Sequence, residues 1–98
     1  LMGVLNGILV LGIIGYFLHI VGISDGATIR RAGNGPAPEL RLEARGGQDE
    51  LIWLLNGRQI GRVPAGRALQ QRFSDAGRYQ ITVLDDAGRY DRVEISVR

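Results

Sequence analysis

The sequence predicts one transmembrane α-helix followed by an all-β, immunoglobulin-like sandwich of about seven strands. Three observations support this fold class. Residues 1–21 contain no acidic residue, lysine or arginine, residues 23–38 are rich in glycine and proline, and apolar and polar residues alternate after that. The predicted domains are therefore a helix at residues 1–22, a linker at 23–38 and a sandwich at 39–98.

The first segment is long enough to cross a bilayer. At about 1.5 Å per residue, a helix over residues 1–21 spans roughly 30 Å, the thickness of a hydrocarbon core. A signal peptide would need a cationic start and a small-residue cleavage site, which this segment does not show. A chain of 98 residues also has too small a core to surround a helix that is apolar on every side. We therefore expect a single pass through the lipid bilayer.

One face of this predicted helix carries residues with little side-chain bulk. They recur at spacings of three or four, with His19 between the last two: Gly3, Gly7, Leu11, Gly15 and Gly22. Small residues allow membrane helices to pack closely. The stripe therefore predicts contact with other transmembrane helices of a membrane complex.

His19 is the only histidine, and two interpretations of it remain open. The first is a hydrogen bond near the headgroups to water, lipid or a neighbouring helix. The second is ligation of a neighbouring pigment or haem, because Gly15 clears space beside the imidazole. This stretch resembles the small-xxx-His pattern of light-harvesting polypeptides. No cofactor of the chain's own is expected.

The second half of the chain is predicted to form short strands with one buried face. A short first strand can form around residues 27–30, and Asn56-Gly57 is a strong hairpin signal. The predicted inward sets are Leu40, Leu42, Ala44; Leu51, Trp53, Leu55; Leu69, Gln71, Phe73; Tyr79, Ile81, Val83; and Val93, Ile95, Val97. Strands at this spacing are typical of a β-sandwich.

The pentapeptide DAGRY occurs twice, at residues 75–79 and 86–90. The copies are eleven residues apart, an odd number, so equivalent strand positions would send their tyrosines to opposite faces. The first copy is predicted to form the tyrosine corner of the sandwich. The second is predicted to form the tight turn before the last strand, with Tyr90 facing outward.

Composition argues against several kinds of site. Cysteine and lysine are absent, and the twelve basic residues are all arginines interspersed among ten acidic residues. This mixture predicts a solvated surface and no nucleic-acid partner. Asp85 and Asp86 are interpreted as solvated turn residues, since they lack the further oxygen ligands that calcium needs. We expect no enzymatic activity, no catalytic residues and no metal site.

A partner surface is predicted on the outward face of two paired strands and the turn beside them. Its residues are Ile52, Leu54, Thr82, Leu84 and Tyr90. Exposed contiguous apolar surface usually marks an interaction site. The alternative is that the strand carrying Ile60 and Val63 covers these side chains, or that they face the core.

Three sequence stretches, WLLNGRQIGR, AGRYQITVLDDAGR and RVEISV, together with SDGATIRR before them, resemble a known module. They are similar to the C-terminal β-sandwich module of bifunctional penicillin-binding proteins of the 1C type, over about residues 24–98. The resemblance implies a periplasmic, non-catalytic module that contacts protein or cell-wall polymer. It carries over no activity, because the glycosyltransferase and transpeptidase domains of that family are not matched.

Two functions remain open for this architecture. One is an accessory or scaffold subunit of a larger complex in the bacterial inner membrane, with a periplasmic sandwich that contacts other proteins. The other is a membrane-tethered cell-envelope module that binds peptidoglycan or the enzymes that synthesise it. Arg30 and Arg31 would favour a cytoplasmic sandwich under the positive-inside rule, whereas the family resemblance favours the periplasm, which we prefer.

Overall fold

The computed structural model of the protein describes residues 17–30 and 35–98, which form two β-sheets. The strands in chain order are β1 (Leu18–Val21), β2 (Ala27–Ile29), β3 (Glu39–Gly46), β4 (Glu50–Leu55), β5 (Arg58–Pro64), β6 (Leu69–Arg72), β7 (Gly77–Asp85) and β8 (Tyr90–Val97). One sheet has the order β1-β3-β6 and the other β2-β8-β7-β4-β5. All pairs are antiparallel except β2 and β8. The predicted all-β sandwich is confirmed, with eight strands in the described residues.

The core lies between the two sheets and follows the predicted alternation. Its fully buried side chains are Trp53, Phe73, Leu42, Leu51, Ile81, Ile95 and Val83. Successive strand residues point to opposite faces, so β3, β4, β7 and β8 contribute side chains of one parity, and Phe73 follows directly after β6. Leu40 and Leu55, at strand ends, are only half-buried.

The Asn56-Gly57 hairpin forms as the sequence predicts. Both residues have positive φ, 51° and 82°, which a two-residue turn of this hand requires. The turn is also tied to β7, because the Asn56 amide donates to the Gln80 carbonyl at 2.9 Å. The Gln80 amide in turn donates to Asn56 Oδ1 at 2.8 Å.

The two DAGRY copies occupy different structural positions, as predicted. In the first, the Tyr79 hydroxyl donates to the carbonyl of Asp75 at 2.5 Å, and its ring meets Phe73 edge-on with centroids 4.9 Å apart. In the second, Tyr90 is 62% exposed and opens β8 after the turn. The same residues therefore form a corner in one place and a turn in the other.

The predicted helix at residues 1–22 is wrong at its C-terminal end. Leu18–Val21 form β1, which pairs with β3 in the register Leu18↔Gly46 to Val21↔Glu43. Leu18 and Ile20 are buried, whereas His19 is exposed. This is the period-two burial of a strand, which the uniformly apolar sequence concealed.

Of the predicted helix-packing stripe, only Gly22 lies within the described residues. Gly22 follows β1 in a bend at φ 81°, so it ends a strand and does not belong to a helix-packing stripe. Gly3, Gly7, Leu11 and Gly15 lie outside the described residues. No helix in the described part of the chain is long and apolar enough to cross a membrane.

Candidate functional site

The five residues of the predicted partner surface lie together on the outward face of the five-stranded sheet. Register places Ile52 opposite Leu84 and Leu54 opposite Thr82, and Leu84 opposite Tyr90. Two adjacent rows of side chains result, and we call this area the sheet face. Ile52, Leu54 and Leu84 are half-buried, so they cover one another in part. Thr82 is only 6% exposed and has little surface to offer a partner.

Arginines border the sheet face on both sides. Arg62 on β5 lies opposite Ile52, and Arg92 on β8 lies opposite Thr82. The Arg92 guanidinium carbon is 5.9 Å from the centroid of the Tyr90 ring, within range of a cation–π interaction. Neither arginine is among the predicted partner residues, although strand parity could have identified both.

The opposite sheet presents a different surface. On its outward side, Arg41 lies 3.6 Å from Glu43 and Arg72 lies 3.5 Å from Glu39, all with exposed side chains. Such exposed ion pairs contribute little to stability, and their charges are compensated locally. The apolar centre with arginine borders therefore distinguishes the sheet face from the β1-β3-β6 side.

Asp85 is a structural residue of the turn between β7 and β8. Its Oδ1 accepts hydrogen bonds from the amides of Ala87 and Arg89, at 3.0 and 2.9 Å. Its Oδ2 accepts from the Gln48 amide at 3.2 Å and the Arg89 guanidinium at 3.3 Å. The carboxyl group is fully buried, in contrast to the solvated role predicted for it.

The pKa of Asp85 reflects these contacts. Burial raises the pKa, but hydrogen bonds from the Arg89 and Ala87 amides, the Arg89 charge and the Gln48 amide together hold it below the ordinary value of 3.8. A carboxylate that accepts this many hydrogen bonds stabilises the turn in its ionised form. Among the described residues, no group of three or more potential metal-ligating side chains occurs.

A cleft of about 750 Å³ lies where the chain passes from β1 to β2 beside β8. His19 Nδ1 is 3.4 Å from Asp91 Oδ2, and the same oxygen accepts the Ile20 amide at 2.8 Å. The histidine thus sits on an exposed strand position next to a carboxylate. This corrects the predicted helix position on which its headgroup and tetrapyrrole interpretations depended.

Ser24 lines the same cleft, which brings serine, histidine and aspartate side chains to one place. Activation of a serine requires a hydrogen bond from its hydroxyl to the base. No such bond joins Ser24 to His19 in the described residues. The cleft therefore has the character of a polar binding site and shows no assembled nucleophile.

Comparisons with known proteins agree with this fold. Residues 16–95 match the Penicillin-Binding Protein C-terminus Family. Penicillin-binding protein 1C of Escherichia coli (strain K12) is 35% identical over 77 residues, which are 79% of this chain and 10% of that protein. The chain thus spans about a tenth of the length of this relative.

A solved structure shows the same fold at low sequence identity. It comes from the fibronectin(III)-like modules of Clostridium thermocellum CbhA, with a TM-score of 0.59 and 13% identity, and it covers 83% of this chain and 93% of that module. The family match begins at residue 16, before β1 and before the start at residue 24 that the sequence resemblance gave. The matched residues therefore include β1 at Leu18–Val21. On this evidence the chain belongs to the Penicillin-Binding Protein C-terminus Family.

Proposed function

We propose that this chain is a non-catalytic, periplasmic contact module of the cell envelope that docks on a protein through the sheet face. Membership of the family supports a cell-envelope role, since the relative's name denotes a penicillin-binding protein. The partner is the catalytic portion of a penicillin-binding enzyme. The module's own task is to position that portion by contact.

The observation that carries this proposal is the composition and layout of the sheet face. Tyrosine and arginine are enriched at protein interfaces and at their energetic hot spots. Here Tyr90 and Arg92 lie beside the half-buried Ile52 and Leu84, and Arg62 closes the other side. A matching partner surface has an apolar centre with carboxylates at its two edges.

The accessory-subunit interpretation loses its main support. It depended on a grooved membrane helix that extended to Gly22, and the last part of that segment is β1. The proposal therefore develops the cell-envelope alternative, in which the partner is an enzyme of peptidoglycan synthesis. Binding to peptidoglycan itself is treated as a competing outcome of the experiment.

Substitution of Leu54 tests the proposal. The probe is Escherichia coli penicillin-binding protein 1C lacking the segment that matches this chain, with affinity measured by biolayer interferometry. Leu54→Asp places a charge in the centre of the apolar rows, so we expect affinity to fall at least about tenfold, roughly 1.4 kcal/mol. The melting temperature should stay close to wild type.

A matched control adds the same charge elsewhere. Gln70→Asp lies at an exposed position of β6 in the opposite sheet and should leave binding unchanged. Equal losses for both variants, or no binding by the wild type, would contradict the proposal. Cosedimentation of the wild type with purified sacculi, lost in Leu54→Asp, would replace the protein partner with peptidoglycan.

A further inference from the structure

The edge of β8 is only half covered within its sheet. The short strand β2 pairs with Ile95–Val97, whereas β8 begins at Tyr90. Residues 90–93 therefore have β7 on one side and, in the described part of the chain, no hydrogen-bonded strand on the other, where β1 of the opposite sheet passes and its Ile20 amide contacts the Asp91 side chain. An uncovered strand edge offers backbone donors and acceptors to an incoming chain.

The direction of these backbone groups follows from the bonds made by Glu94. Its amide donates to Asp25 Oδ1 at 2.8 Å, and its carbonyl accepts the Gly26 amide at 2.7 Å. Both groups therefore point away from β7. Because alternate residues of an antiparallel strand direct these groups to the same side, the Arg92 amide and carbonyl also point away from β7.

The Arg92 backbone thus faces the cleft beside β1, which Arg92 itself lines. With a volume of about 750 Å³, the cleft lies within the usual range of roughly 300–1,000 Å³ for small ligand sites. Two basic side chains, His19 and Arg92, and two carboxylates, Asp25 and Asp91, line it. The site therefore presents both charge signs around a free pair of backbone groups.

We propose that this cleft binds a short extended peptide that carries both ammonium and carboxylate groups and pairs with the Arg92 backbone as an added strand. The uncovered edge limits the peptide to about three or four residues, at roughly 3.3 Å each. The bonds of Glu94 to residues 25 and 26 close one end. At the other end, β8 itself begins at Tyr90.

This proposal goes beyond the sheet face, because the peptide pairs with the backbone at the strand edge, and the two sites share only the Arg92 side chain. Main-chain pairing supplies the affinity in strand addition, and side chains supply selectivity. His19 and Arg92 would receive the peptide's carboxylates, and Asp25 and Asp91 its ammonium groups. Asp25 and Asp91 keep their structural hydrogen bonds to the Glu94 and Ile20 amides.

The test is a titration of the ¹⁵N-labelled 98-residue chain followed by NMR. The probe is the tetrapeptide Ala-Glu-Lys-Ala with free termini, and the control probe is the same peptide with N-methylated backbone amides. We expect saturable shifts of the Asp91, Arg92 and Val93 amides with the first peptide and none with the second. If about 10 mM peptide produces no saturable shifts, the binding free energy is weaker than about 3 kcal/mol. That result would overturn the proposal.

Two variants of Arg92 distinguish the contribution of its backbone amide to peptide binding from that of its side chain. Arg92→Pro removes the donor on the uncovered edge, where no ladder bond is lost, and should weaken peptide binding at least about tenfold. Arg92→Ala keeps the donor and should weaken it less. If Arg92→Pro lowers the melting temperature, His19→Ala takes its place, with an expected severalfold loss.

The peptide titration can also be distinguished from the protein-binding experiment on the sheet face. Leu54→Asp should leave tetrapeptide binding unchanged, because Leu54 does not line the cleft. Equal shifts with the N-methylated peptide, or shifts centred on Ile52 and Leu84, would show that the peptide does not add to β8. Either outcome would overturn the strand-addition proposal without bearing on the protein partner.

Discussion

At the residue scale, Asp85 joins parts of the chain that are far apart in sequence. Its carboxylate accepts hydrogen bonds from Gln48, just after β3, and from Ala87 and Arg89 in the turn before β8. A buried carboxylate is stable only when its lone pairs are satisfied in this way. The Asp85 side chain therefore connects the segment after β3 with the turn between β7 and β8 at one end of the sandwich.

Replacement of Asp85 should destabilise the sandwich in a pH-dependent way. Hydrogen bonds to charged groups contribute about 1.5–3 kcal/mol, so we expect a loss of that size for Asp85→Asn at pH 7. The folded-state pKa is below 3.8, so the ionised group contributes its full stability above pH 3.8. That contribution disappears as pH falls through the folded-state pKa. Denaturant unfolding at pH 7 and at progressively lower pH measures both effects.

Asp86→Asn is the matched control, because Asp86 is exposed in the same turn. It should change the unfolding free energy by less than about 0.5 kcal/mol. The difference between wild type and Asp85→Asn should shrink in acid. A difference that stays constant with pH would show that the charge of Asp85 is not what stabilises the turn.

Strand parity predicted many residue positions but not all of them. It placed Trp53, Ile81 and Ile95 in the core, because each lies in a run with clean period-two alternation. Asp85 ends β7 at the same parity as Ile81 and Val83, but parity could not show what satisfies its buried carboxylate, since one donor, the Gln48 amide, lies 37 positions earlier. Contacts of this kind arise only when the strands assemble.

At the scale of elements, β1 shows how one sequence signal can mask another. Its two inward residues, Leu18 and Ile20, belong to an apolar run that begins at Leu1, so no alternation is visible in the sequence. The pairing with β3 determines the structure of this element. Tertiary context, not local pattern, therefore decides between helix and strand here.

Substitutions at neighbouring positions of β1 should have very different effects. Ile20 is 2% exposed, so Ile20→Ala should cost about 2–4 kcal/mol through lost burial and a residual cavity. His19→Ala, on the exposed side, should cost less than about 0.5 kcal/mol. Urea unfolding of the 98-residue chain measures both. Two equally mild effects would mean that Leu18–Val21 do not contribute to the core.

At the scale of the whole molecule, the first two strands belong to opposite sheets. β1 pairs with β3, and after the bend at Gly22 the chain crosses to pair β2 with β8. The segment from 18 to 29 therefore spans both layers of the sandwich. No cysteine is present to supply a disulfide, so the layers depend on packing and on such crossings.

Among the described residues, one buried side-chain group in the core has no hydrogen-bond partner. Trp53 is fully buried, and its Nε1 has no hydrogen-bond partner among the described residues. An unsatisfied buried donor costs about 1–3 kcal/mol, which the apolar contacts of the ring must offset. A domain of this size has little stability to spare, so the loss of any element should be costly.

Truncation tests this dependence directly. A chain that starts at residue 16, where the family match begins, keeps all eight strands and should melt cooperatively near the temperature of the 98-residue chain. A chain that starts at residue 39 keeps β3 to β8 but loses Leu18 and Ile20 from the core and β2 from the edge of β8. We expect it to show no cooperative transition by circular dichroism. A folded fragment from residue 39 would show that β1 and β2 are additions to an independent six-stranded core, and the cleft between β1 and β8 would then be peripheral to the fold.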